Sequence, residues 1–281
     1  PLDENDYSRS RLCARRALAR GPHADMKLGV FTPVFGNLAF PEMVAAVRDL
    51  GHVSAVELGT GGWPGRSHID PERLLACPND ARSYRRQLAD AGLTISALSC
   101  HGNPLHPDAA RAAADDATFR TTVRLAEALD VPVVVTFSGC PGDGPKATHP
   151  NWVTTPWPPE YLEVLDWQWQ ERAIPYWQDA TRFAADHGVK VALEAHPGFL
   201  VYNTDTALRL RAAAGPHLGV NLDPSHLYWQ GMDPVAVIRA LGDAIFHVHA
   251  KDVALNPANV AVDGVLDARS YRRMRERSWL F

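Results

Sequence analysis

Three segments of this chain end in side chains able to share one divalent cation: Glu194 in VALEAHPG, Asp223 in NLDPSH and His249 in HVHAKD. Two carboxylates and one imidazole make a mixed oxygen and nitrogen donor set that leaves positions for water or substrate. Oxygen-rich ligation suits Mn²⁺ or Mg²⁺, and the histidine also admits Co²⁺ or Zn²⁺. Mn²⁺ is the expected ion. Any one of the three alone reads better as a helix cap or a satisfied backbone partner. Together they read as a metal centre, on condition that the fold brings them to one place.

Further candidates lie close by in sequence. His226 follows Asp223 by three, across Pro224, whose turn could return the imidazole towards the same site to hold a substrate hydroxyl or to be a further ligand; the plainer expectation is a surface-loop histidine. Lys251 is one of four lysines in a chain that otherwise uses arginine. Its compact ammonium just beyond His249 suits a developing oxyanion; the plainer expectation is a pair with Asp252. His101 in LSCHGNPLHP, His196 two residues past Glu194, and Glu57 at the end of AVEL are candidate substrate contacts. Each reads equally well as packing or as support for a ligand. Trp63, in a loop, could stack on a polyol.

The elements that must position these groups alternate along the chain. Strand patterns fall at Lys27–Phe31, Ser54–Leu58, Thr94–Ser99, Pro132–Phe137, Lys190–Glu194, Leu218–Asp223 and Ile245–His249. Helical patterns fall at Pro41–Leu50, Asp80–Ala91, Asp108–Asp130, Glu160–His187, Thr204–Ala213 and Pro234–Leu241. Such alternation implies a parallel sheet covered by helices. Within the late strands the faces differ. Val191 and Leu193 oppose Ala192 and Glu194; Leu218, Val220 and Leu222 oppose Gly219, Asn221 and Asp223; Phe246 and Val248 oppose His247 and His249. A doubly wound sheet, covered on both faces, reads almost wholly apolar. One apolar and one polar or small face instead suits a TIM (β/α)8-type barrel, an α/β fold whose functional groups emerge at the C-terminal rim. By this parity Glu194, Asp223 and His249 all point inward.

Composition sets the outer bounds. The 281 residues are 46% hydrophobic and 21% charged, an ordinary globular balance. Lysine and arginine number 28 against 32 acidic residues, a net charge of −4. That balance argues against nucleic acid as the bulk partner. No apolar run approaches the roughly 20 residues of a membrane helix. Cys13, Cys77, Cys100 and Cys140 show no CxxC spacing, which points to a reducing cytoplasm. No glycine-rich phosphate loop occurs. Residues 1–25 are polar and arginine-rich and read as a disordered extension ahead of Met26, the expected natural start. A helix over Arg9–Arg20 is the lower-ranked alternative. Residues 26–281 read as one barrel domain.

The segments VALEAHPG, GVNLDPSHLYWQGMDP and FHVHAKDV, supported by ISALSCHGNPLHP and KLGVFTPVFG, make the chain resemble the xylose isomerase-like TIM barrels over about residues 26–255. The likeness is to the sugar phosphate isomerase/epimerase group, which includes ketose 3-epimerases, hydroxypyruvate isomerases and inosose dehydratases. It implies metal-dependent proton transfer beside the carbonyl of a sugar, sugar phosphate or polyol ketone, with dehydration as the alternative. Glu194 is similar to the family's fifth-strand glutamate, a metal ligand that also moves a proton. Asp223 and His249 are similar to the sixth- and seventh-strand ligands, and His226 to a histidine that contacts substrate.

The family's fourth ligand, a glutamate on the eighth strand, has no counterpart here. After Asp252 the only glutamate is Glu276, in an arginine-rich segment, Leu266–Phe281, that does not read as a strand. The expectation is a barrel truncated before its eighth strand, with an open seam between the first and seventh. Two other classes rank lower: an endonuclease IV-like nuclease, disfavoured by the histidine-free VTFSGCPG and the net charge, and a non-catalytic sugar-binding barrel. The expected partner is a small sugar or polyol, with neither nucleic acid nor membrane, and homo-oligomerisation is left open.

Overall fold

Seven parallel strands form one curled sheet in strict sequence order. They are β1 (Gly29–Phe31), β2 (Ala55–Gly59), β3 (Thr94–Ser99), β4 (Val133–Phe137), β5 (Lys190–Glu194), β6 (Leu218–Leu222) and β7 (Ile245–Val248). The computed structural model describes residues 26–281. The expected extension over residues 1–25, and the helix weighed within it, lie outside the described residues.

Helices follow the strands as the alternation predicts. α1 (Phe40–Asp49) precedes β2; α2 (Pro71–Ala76) and α3 (Pro78–Asp90) precede β3; α4 (Ala109–Leu129) precedes β4. α5 (Glu160–Trp167) and α6 (Ile174–Asp186) precede β5, and α7 (Thr204–Ala214) precedes β6. α8 (Ser225–Tyr228) and α9 (Pro234–Leu241) lie between β6 and β7, and α10 (Pro257–Asp263) follows β7. Local chemistry sets the starts. Asp108, Asn203 and Asp233 each accept a backbone N–H in the first turn, and prolines open α2, α3, α9 and α10. The expected single helix over Glu160–His187 is instead α5 and α6 joined by a π-helical turn, Gln168–Ala173. Pro175 has no N–H to give to that stretch, and the widened turn accommodates it. The turn also buries Gln168, whose amide donates to the Gly142 and Asn151 carbonyls at 2.9 and 2.7 Å. Proline-led α2 and the short α8 and α10 carry no periodic signal of their own.

Two apolar layers lie on opposite faces of the sheet. Val56, Leu58, Leu98, Val134, Val191, Leu193, Leu218 and Val220 face the helices. Ala97, Val133, Val135 and Ala192 fill the narrow interior, with Phe246 packed on them. Phe246 is therefore a correction: the sequence parity puts it on the helix side. The β6–β7 register slips between Val220 and Asn221, pairing Val220 with Ile245 but Asn221 with His247. This bulge lets Phe246 and His247, neighbours in sequence, both serve the interior. Gly219 makes room, because a Cβ there would meet the Ala244 carbonyl and, at 2.5 Å, the Phe246 ring.

β1 pairs only with β2 and β7 only with β6, and no eighth parallel strand occurs among the described residues. The segment after β7 holds a separate antiparallel pair, β8 (Ala254–Leu255) and β9 (Trp279–Leu280). Trp279–Leu280 thus corrects the expectation that the last segment contains no strand. Trp279 stacks on Trp229 just beyond α8, with ring centroids 4.7 Å apart. No helix among the described residues is long and apolar enough to cross a membrane.

Candidate metal centre

The C-terminal ends of the strands deliver polar groups to one mouth. β5 ends at Glu194, β6 continues into Asp223, and β7 into His249. One donor atom from each of these three lies within 4.8 Å of the others. The inward phase of each strand accounts for the meeting, since Glu194 pairs in register with Asn221, and Asn221 with His247.

Glu194 is the hub. Its Oε1 is 3.1 Å from His226 Nε2. Its Oε2 accepts from Asn221 Nδ2 at 2.9 Å and lies 3.2 Å from His101 Nε2 and 3.1 Å from His249 Nδ1. Burial acts to raise this carboxyl, but the three histidines overcome it and hold it well below the ordinary range.

Asp223 is anchored by its own turn. Its Oδ1 accepts the Ser225 N–H at 2.9 Å and the Ser225 hydroxyl at 2.6 Å. Oδ2 stays turned to the mouth, 3.3 Å from His226 Nε2 and 3.4 Å from Lys251 Nζ. Burial opposes ionisation here too, and contact with His226 wins, lowering the carboxyl. The Asp-Pro-Ser-His turn thus carries His226 back over Glu194 as the first turn of α8. Burial disfavours its charged form, but Asp223 and Glu194 together raise it.

Lys251 does not pair with Asp252, the plainer expectation. Its Nζ reaches Asp223 and His226 and lies 4.0 Å from the Phe281 ring centroid. His196 packs its ring 4.1 Å from that of His226. Burial and the His226 charge depress it to about 4, so it is neutral at pH 7. His101 is fixed by the Gly-Thr-Gly-Gly turn after β2. Gly62, at φ +65°, lets the backbone come against the His101 carbonyl, which accepts the Trp63 N–H at 2.9 Å. The Trp63 side chain itself is 83% exposed and is not among the groups brought together.

Glu57, on β2, is also buried. Its Oε2 is 2.8 Å from His247 Nε2 and 2.7 Å from His249 Nε2, and its Oε1 accepts from the Ser99 hydroxyl. Burial raises its carboxyl, but the two histidines outweigh this and hold it at about 2. His249, between Glu57 and Glu194, is lifted to about 10 against the cost of burial. Sequence reasoning singled out neither Asn221, which contacts Glu194 and His249, nor His247, which ties β7 to Glu57 of β2. The signal was present, since both share the inward parity of Asp223 and His249.

The donor set fits a divalent cation. Three buried carboxylates, Glu57, Glu194 and Asp223, meet a group of imidazoles, a mixed oxygen and nitrogen donor set of the kind divalent ions take. Glu194, Asp223 and His249 would hold the ion, with His226 beside it. A family model described as xylose isomerase-like TIM barrel matches residues 44–274.

The chain belongs to that family.

This xylose isomerase-like barrel is 40% identical over 257 residues to the uncharacterized protein YfiH of Bacillus subtilis, covering 90% of this chain and 82% of that one. Over 73 residues it is 34% identical to the inosose dehydratase of Clostridium beijerinckii, 26% of this chain and 24% of that protein. The solved structure of a D-tagatose 3-epimerase-like protein superposes with a TM-score of 0.57 at 20% identity, over 81% of this chain and 76% of that one. The structural likeness is one of fold.

Proposed function

We propose that this chain is a divalent-metal-dependent isomerase or epimerase that moves a proton beside the carbonyl of a sugar, sugar phosphate or related polyol ketone. The observation that carries the reading is the convergence of Glu194, Asp223 and His249 from three consecutive strands onto donor positions within 4.8 Å. A bound Mn²⁺ would supply Lewis acidity that favours enediolate-like charge, a contribution of several kcal/mol.

Glu194 is the proton carrier. Its two oxygens are held by His226 on one side and by His101 and Asn221 on the other, so the carboxylate presents a fixed edge. It takes the proton from the carbon beside the carbonyl. Return of that proton to the neighbouring carbon is isomerisation; epimerisation needs a second acid on the opposite face, such as solvent water, to deliver a proton there while Glu194 keeps the one it removed. A positioned acid/base group of this kind contributes ~10²–10⁴-fold. Lys251 balances the developing oxyanion, and His226 donates to a substrate hydroxyl. His101 and His196 line the walls with Phe137, whose ring lies 4.5 and 4.8 Å from theirs.

A dehydratase is the second reading, favoured by the 34% identity to inosose dehydratase. There the same proton leaves, and His226 or Lys251 protonates a departing hydroxyl instead.

The test is proton–deuterium exchange at carbons beside the carbonyl, across a panel of ketoses and inososes with Mn²⁺. Exchange is expected, and chelation should stop it. Glu194→Gln should abolish it even at saturating metal. A Mn²⁺-loaded protein that exchanges no substrate proton would overturn the reading. Loss of water from an inosose would select the dehydratase.

A further inference from the structure

Glu57 is 3% exposed, and both of its oxygens are engaged by Ser99, His247 and His249. The sequence reading makes Glu57 a substrate contact. Its geometry suits another task. The His249 ring has Nε2 at 2.7 Å from Glu57 Oε2 and Nδ1 at 3.1 Å from Glu194 Oε2. One edge of the imidazole therefore faces each carboxylate.

We propose that Glu57 is a positioning residue: by accepting the Nε2–H of His249 it fixes that ring so that the Nδ1 lone pair is aimed at the Glu194–Asp223 pair, where the cation would sit. The inference rests on the metal-centre reading. The physical basis is that a neutral imidazole carries one N–H, so the hydrogen bond at one nitrogen decides which nitrogen can ligate. Asn221 agrees with this assignment. Its amide nitrogen lies 3.0 Å from His249 Nδ1 and can donate to that atom once the ring is neutral with its proton on Nε2, the form a bound cation selects. Phe31 holds the ring from the side, stacked at 5.5 Å with an interplanar angle of 22°. His247 shares Glu57 Oε2, so it tests whether Glu57 acts through His249 or merely ties β2 to β7. The rival is a second cation bound by Glu57, His247 and His249, whose donor atoms also lie within 4.8 Å.

The experiment titrates Mn²⁺ calorimetrically into the wild-type protein, Glu57→Gln and His247→Phe, and melts each protein without metal. The wild type is expected to bind one Mn²⁺ per chain. Glu57→Gln should bind about 10–100-fold more weakly, the usual effect of removing a carboxylate behind a ligating histidine. His247→Phe should lose thermal stability and keep the wild-type affinity. Equal affinity in Glu57→Gln and wild type would overturn the proposal. So would equal loss in both variants, which is the mark of a structural tie, or two Mn²⁺ per chain with one lost in Glu57→Gln. A wild type that binds no Mn²⁺ would remove the metal-centre reading itself and this inference with it. Should Glu57→Gln not fold, ¹⁵N spectra of wild-type histidines decide. Mg²⁺ should shift His249 Nδ1 and leave Nε2 protonated, and the reverse pattern would overturn the assignment.

Discussion

Phe31 on β1 stacks on His249 of β7, although the two strands stand at opposite ends of the sheet order and share no ladder hydrogen bonds. The seam is bridged instead by side chains, with Glu57 of β2 binding both histidines of β7. The metal centre and the closure of the sheet therefore use the same residues. Phe31→Ala removes the aromatic half of this bridge. The expected cost is about 2 kcal/mol, below the ~3–5 kcal/mol of a fully buried phenylalanine because Phe31 is only half-buried. Urea unfolding of the metal-free protein measures it, and an unchanged midpoint would show that the stack does not close the seam.

The same bridge predicts a two-sided pH dependence for the metal-free protein. Glu57 is held at about 2, below its ordinary 4.5, so its stabilisation is present above 4.5 and disappears as pH falls towards 2. His249 is held at about 10, above its ordinary 6.5, so its stabilisation is complete below 6.5 and is lost as pH rises towards 10. Stability from this pair should peak between 4.5 and 6.5. Mg²⁺ requires the His249 lone pair, so its added stabilisation should grow towards the alkaline side. Urea midpoints at acid, mid-range and alkaline pH, with and without Mg²⁺, test both limbs. A flat alkaline limb without metal would show that His249 is not held charged.

Much of this arrangement is legible in the sequence because strand parity is a strict period of two. The alternations in KVALE and LGVNLD put Glu194, Asn221 and Asp223 on one face, and Pro224 announces the turn that returns His226. Parity fails at Phe246, where a bulge resets the phase after one residue, and no local signal in IFHVH marks the slip. The pairing of Glu57 with His247 and His249 was not legible either. It joins residues about 190 positions apart, and the way the sheet curls decides it.

Gly219 and Phe246 record the same bulge in packing. A methyl at position 219 would meet both the Ala244 carbonyl, a backbone group, and the Phe246 ring. Gly219→Ala should therefore destabilise the fold by about 1–3 kcal/mol, the usual cost of overpacking. Gly219→Ala combined with Phe246→Leu should recover part of that loss. Chemical denaturation of the single and double variants measures both effects, and the absence of rescue would place the clash on the backbone alone.

Lys251 separates metal binding from charge stabilisation, because the two should respond in opposite directions. Its ammonium lies 3.4 Å from Asp223 Oδ2, with the side chain 43% exposed. A positive charge there repels an incoming cation, so Lys251→Met should bind Mn²⁺ more tightly than wild type. The same change removes the donor that faces the developing oxyanion, where a lost donor costs about 10²–10³-fold in turnover in a dry site. Partial exposure weakens that figure, and a fall of about tenfold is expected. Calorimetry for Mn²⁺ and exchange kinetics on the same protein read the two quantities separately. If affinity and turnover fall together, Lys251 acts by holding Asp223 in place; tighter metal with slower exchange assigns it to the reacting oxygen.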